Sequence, residues 1–69
     1  MKIAILTIGD ELLNGDVADT NTAAIAGMLI SHSLPVHEAA TTGDRETDIA
    51  AALQRLAATH DAVVVTGGL

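Results

Sequence analysis

Three runs along this chain end in the same way. Thr7-Ile8-Gly9-Asp10 closes the first, Thr41-Thr42-Gly43-Asp44 the second and Thr66-Gly67-Gly68 the third. Between them lie two stretches whose apolar residues recur at helical spacing. Strands that alternate with helices pair in parallel and cross over right-handed, which leaves few folds open to such a chain. The order read from the sequence is β-α-β-α-β. The fold class expected is α/β, a mostly parallel sheet of Rossmann-like kind.

The elements follow from local chemistry. Residues 3–8, Ile-Ala-Ile-Leu-Thr-Ile, are nearly all apolar and read as a strand buried on both faces. Asn14-Gly15-Asp16 is turn chemistry and marks a loop. Asp19, Thr20 and Asn21 are N-cap types, and Ile25, Met28 and Leu29 then predict a helix over about residues 20–32. Pro35 stops that helix and biases Leu34 toward extended geometry. Residues 36–42 are of mixed polarity, which fits an edge strand or one with a solvated face. Asp44 reads as the N-cap of a helix reaching about residue 59, with Ile49, Leu53 and Leu56 on its buried face and His60 at its end. Residues 62–66 are an apolar, β-branched strand.

Size and composition restrict the function. In the 69 residues there is no cysteine, which removes disulfides and thiolate metal sites. Nine acidic residues against three Lys or Arg give a net charge of −6, and no residue is aromatic. That charge opposes counterion-release binding to nucleic acid, and base stacking on aromatic rings is closed to this chain. The N-terminal apolar run is shorter than a signal h-region or a membrane span. The expectation is a cytoplasmic protein whose partners are neither nucleic acid nor membrane. Two helices hardly cover both faces of a parallel sheet, and the chain stops after its most apolar strand. Residues 1–69 are therefore expected to be the N-terminal part of one α/β domain of ~100–150 residues, truncated after the third strand.

In open α/β sheets, ligands bind in the crevice outside the carboxyl ends of the strands. Glycine there lets backbone N–H groups approach an anion, and threonine adds a donor. This makes Thr7, Gly9, Gly43, Thr66, Gly67 and Gly68 ligand-binding candidates, although glycine also serves simply to let a strand turn. The same crevice would be acidic, with Asp10, Glu11, Asp16 and Asp44 near it. Either a divalent cation such as Mg²⁺ bridges the carboxylates, or they accept N–H and O–H groups of a ligand. Asp10, Glu11 and Asp44 are the catalytic candidates, and Asp10 and Asp44 the metal candidates. Lys2 lies at the wrong end of its strand, Arg45 can reach the crevice and Arg55 falls on an exposed helix surface. His32, His37 and His60 lack metal spacing. No Ser-His-Asp, Walker A or G-x-G-x-x-G pattern is present.

Taken together, Thr7-Ile8-Gly9-Asp10-Glu11-Leu12-Leu13-Asn14-Gly15, Asp19-Thr20-Asn21, Thr42-Gly43-Asp44 and Thr66-Gly67-Gly68-Leu69 resemble the molybdopterin-binding (MoCF biosynthesis) domain family. The likeness is to the form found at the N-terminus of CinA-type competence/damage-inducible proteins. MoeA-type members share the Gly-Asp-Glu-Leu start but usually continue the last strand as Gly-Gly-Val-Ser. In Asn14-Gly15-Asp16 the chain departs from relatives, which often show Leu-Gly-Gln. The resemblance implies a three-layer αβα, MogA-like fold, with molybdopterin or another phosphorylated pterin or nucleotide as ligand, Asn21 among the ligand-binding positions and a homo-oligomeric complete protein. It leaves three readings. One is a binding module for the pterin or nucleotide. A second is a metal-dependent pyrophosphatase acting on ADP-ribose. The third is an inactive piece that needs the rest of its domain, and for residues 1–69 alone neither catalysis nor tight binding is expected.

Overall fold

The protein is described here by a computed structural model covering residues 1–67. Strand β1 spans Ile3–Ile8, β2 Val36–Thr42 and β3 Ala62–Gly67. A one-turn helix, α1, covers Asp10–Leu13, and two longer helices, α2 and α3, cover Thr20–Ser31 and Glu46–Thr59. Both strand pairings are parallel, and the strand order is β2-β1-β3. The chain thus steps from β1 to β2 on one side and returns across β1 to β3 on the other. Right-handed crossovers in opposite directions set α2 and α3 on opposite faces of the sheet, the beginning of an αβα sandwich.

Burial explains the sequence pattern of each strand. Every residue of β1 is buried, as a central strand covered on both faces requires. In β2 half-buried and exposed residues alternate up to Thr42, the period-two signature of an edge strand with one solvated face. His37 is an extra residue at the start of β2, where the register steps from Ile3↔Val36 to Ala4↔Glu38. From there the pairing runs unbroken to the strand ends.

The core lies between the sheet and α3. Ala4, Leu6 and Ile8 point to this face and pack on Leu56, with Ile49, Ala52, Leu53, Ala40 and Val63 around them. Arg55 reaches across the exposed edge of the same face to Glu38 at 2.9 Å. His60 caps the end of α3, and its Nδ1 donates to the Leu56 carbonyl at 3.0 Å. The opposite face carries Ile3, Ile5 and Thr7, all buried. Among the described residues no helix is long and apolar enough to cross a membrane.

The helix ends partly depart from expectation. Asp19 is the N-cap of α2, its Oδ1 accepting the Thr22 N–H at 3.0 Å. The helix closes at Ser33, whose φ of 63° is left-handed. The Ser33 N–H donates to Ile30 and the Leu34 N–H to Leu29, a Schellman ending that Pro35 then seals. Asp44, in contrast, does not cap α3. The N-cap there is Arg45, with no side-chain cap bond. The carboxylate of Asp44 is turned instead toward α1, a helix too short to leave a period in the sequence.

Candidate functional site

Strand order reverses between β1 and β3, and a cavity of about 340 Å³ opens beside their carboxyl ends. Its floor is Ile8 and Gly67, the last residues of the two strands, which are partners in the sheet register. Such a reversal point is where α/β sheets leave a natural crevice, because the helices on either side diverge there. The walls come from three connections. Glu11 and Leu12 belong to α1, Val17 to Asn21 form the entry to α2, and Asp44 follows β2. Val17 is held in place because the Glu11 carbonyl accepts both the Asp16 and the Val17 N–H, at 2.9 and 3.2 Å.

The candidates read from the sequence divide into those that face the cavity and those that build it. Glu11, Asn21, Asp44 and Gly67 line it. Thr7 is buried behind it, its hydroxyl 2.8 Å from that of Thr41 and donating to the Ala40 carbonyl at 3.3 Å. Thr41, Thr7 and Thr66 are register partners, so the three strand-end threonines form one row across the sheet. Gly9 is the N-cap of α1, and its N–H donates to the Thr42 carbonyl at 2.9 Å. Gly43 is buried beneath the Asp10 carboxylate, which occupies the space a Cβ would need. Gly68 lies outside the described residues. Asp16 and Arg45 do not line the cavity, whereas Asp19, read from the sequence only as a cap, does.

Ile8, Leu12, Val17 and Ala18 form the apolar part of the lining, and of these only Ile8 and Leu12 lie within a motif quoted from the sequence. The available signal was the presence of apolar residues in a segment of turn formers. Val17 remains exposed in this lining.

The cavity is acidic, with Glu11, Asp19 and Asp44 on its wall and no lysine or arginine among the described residues that line it. Hydrogen bonds from the Thr22 hydroxyl, then its backbone N–H, hold Asp19 below the ordinary carboxylate range, with smaller help from Thr7 and Asn21. A lowered folded-state value means that the cap contributes in full above the ordinary aspartate range, near pH 4, and is lost as pH falls through the lowered value. Asp19→Ala is accordingly expected to cost about 1 kcal/mol, the usual worth of an N-cap. Denaturation midpoints of this variant and the parent should differ at neutral pH and converge in acid.

Asp10 and Asp44 stand side by side, each carboxylate hydrogen-bonded to the other's backbone. Asp10 Oδ1 accepts the Asp44 N–H at 3.0 Å, and Asp44 Oδ2 accepts the Asp10 N–H at 3.3 Å. No group of three carboxylate or imidazole side chains that could hold a metal ion occurs among the described residues. Hard divalent cations take about six oxygen ligands. Asp10, Glu11 and Asp44 would supply only part of such a shell, the rest falling to water and ligand oxygens.

The fold and its crevice have counterparts in known proteins. The sequence profile of the family described as "Probable molybdopterin binding domain" matches residues 4–69. A CinA-like protein of Geobacter sulfurreducens is 59% identical over 69 residues, all of this chain and 17% of that protein. Another, from Geobacter metallireducens, is 52% identical over the same share. The chain therefore spans about one sixth of the length of these relatives. The crystal structure of CinA from Thermoplasma acidophilum, described there as of unknown function, superposes with a TM-score of 0.92 at 31% identity, covering 99% of this chain and 40% of that one. With its strand-end motifs, its parallel sheet and this match over nearly its whole length, the chain belongs to the molybdopterin-binding domain family, in the form carried by CinA-like proteins.

Proposed function

We propose that this segment forms one wall of a binding site for a phosphorylated pterin or nucleotide. What supports the reading is the position of the cavity, at the reversal of strand order between the carboxyl ends of β1 and β3. Its volume of about 340 Å³ suits a fused heterocycle more than a whole dinucleotide. Leu12, Val17 and Ala18 offer apolar cover for a ring. Glu11, Asp19, Asp44 and the Asn21 amide can accept ring N–H, amino or hydroxyl groups. Carboxylates repel phosphate, so the phosphate belongs at the glycine end of β3, where Gly67 carries no side chain to keep it from the backbone.

The test is titration calorimetry of a pterin monophosphate, and separately of ADP-ribose, into the natural chain that contains residues 1–69. Saturable binding without product is expected. Asn21→Ala should weaken it about tenfold, the worth of one hydrogen bond. If neither compound binds, or if Asn21→Ala binds like the parent, the reading fails. Turnover of ADP-ribose would replace the binding module with the hydrolase.

A further inference from the structure

We propose that Asp10 and Asp44 form a reciprocal clasp between the two strand-end loops, and that they are positioning residues of the crevice rather than ligands of a metal ion. Two helices of the protein, α1 and α3, lack side-chain caps of their own. Gly9, the N-cap of α1, has no side chain to offer, and Arg45, the N-cap of α3, makes no side-chain cap bond. Backbone N–H groups at a helix start need acceptors from elsewhere. Asp44 supplies one to the Asp10 N–H, the first of α1, at 3.3 Å, and Asp10 in return accepts the N–H of Asp44, which stands just ahead of the N-cap of α3, at 3.0 Å. Each residue thus donates its backbone N–H to the other's carboxylate.

The surroundings are shaped to this exchange. Gly43 leaves room for the Asp10 carboxylate at the place where a Cβ would stand. The Gly9 N–H bond to the Thr42 carbonyl runs alongside at 2.9 Å. These three bonds tie the end of β1 to the end of β2. The two carboxylates repel one another, and a bond from a backbone N–H to each offsets that repulsion. The N–H bonds use one lone pair on Oδ1 of Asp10 and one on Oδ2 of Asp44, so a cation bridging these two oxygens would share each of them with an N–H donor. The clasp fixes where Glu11, the neighbour of Asp10, and Asp44 itself stand on the cavity wall. That the wall receives a ligand rests on the reading above; the clasp does not.

The distinction can be made because asparagine keeps a side-chain oxygen acceptor but loses the charge that holds a metal. The experiment is amide hydrogen exchange at Asp10 and Asp44 in the ligand-free natural chain, with Mn²⁺ titrations on the same samples. Asp44→Ala should speed exchange of the Asp10 amide about tenfold, and Asp10→Ala that of the Asp44 amide likewise, as for a lost charge-assisted bond. Asp10→Asn and Asp44→Asn should keep both amides within about threefold of the parent, since the neutral acceptor retains part of the bond. Rescue by asparagine, with Mn²⁺ affinity unaltered by any variant, supports the clasp. Asparagine variants that exchange as fast as the alanine ones would overturn it. So would Mn²⁺ binding by the parent that both asparagine variants abolish. Because protection is read without ligand, the clasp can fail while pterin or nucleotide binding survives, and the reverse.

Discussion

Leu56→Ala is expected to destabilise the fold by about 2–5 kcal/mol, the range for deleting a fully enclosed leucine. Leu56 is fully buried and is the one buried residue of the described helices. It joins α3 to the sheet through Ala4, Leu6 and Ile8. Much of what surrounds it is alanine, namely Ala4, Ala40 and Ala52, which cannot move in to fill a void. The loss therefore belongs in the upper part of the range. A single core of this size supplies roughly 3–5 kcal/mol, so residues 1–69 alone would be mostly unfolded with this change. In a urea titration followed by far-ultraviolet circular dichroism, the midpoint should fall steeply for Leu56→Ala. It should stay within about 0.5 kcal/mol of the parent for Ala57→Ser, on the exposed side of the same helix. Equal midpoints would mean that α3 does not carry the core.

The strands were legible because each left a pattern local to itself. The unbroken run Ile3–Ile8 can only suit a strand covered on both faces, and the alternation through Val36–Thr42 suits an edge. Asp19 was legible as a cap because its partner, Thr22, lies within one helical turn. What was not legible depends on contacts distant in sequence. Asp44 reads as a cap for the helix that follows it, but the donor it serves is Asp10, 34 positions away. Helix α1 has four residues, far fewer than the window of about 11–18 over which helical periodicity is recognised. Once it forms, it turns Leu12 toward the crevice, and its carbonyl at Glu11 draws Val17 after it. The crevice at the strand ends was foreseeable from the repeated Thr and Gly residues. Its apolar wall was not, because the path of the 14–19 loop is set by bonds back to α1.

Gly67→Ala is expected to damage fold and crevice together, and more severely than the same change at Gly43. Gly67 has a φ of 89°, in the left-handed region. An added Cβ would also run into the backbone carbonyl oxygen of Ile8, its partner in the central strand. A left-handed non-glycine residue costs about 1–3 kcal/mol by itself. The collision adds to this, because the obstructing atom belongs to a hydrogen-bonded strand and cannot rotate aside. At Gly43 the obstructing group is the Asp10 carboxylate, the far end of a side chain that can swing away. Gly43→Ala should therefore cost less in stability while releasing the Asp10 clasp. Denaturation midpoints for the two variants give the order of the costs. Backbone chemical shifts at Ile8 and amide exchange at Asp44 separate the causes, the first moving with Gly67→Ala and the second with Gly43→Ala. A Gly67→Ala chain as stable as the parent would mean that β1 and β3 do not meet so closely at their carboxyl ends. The crevice between them would then have to be wider than the one described.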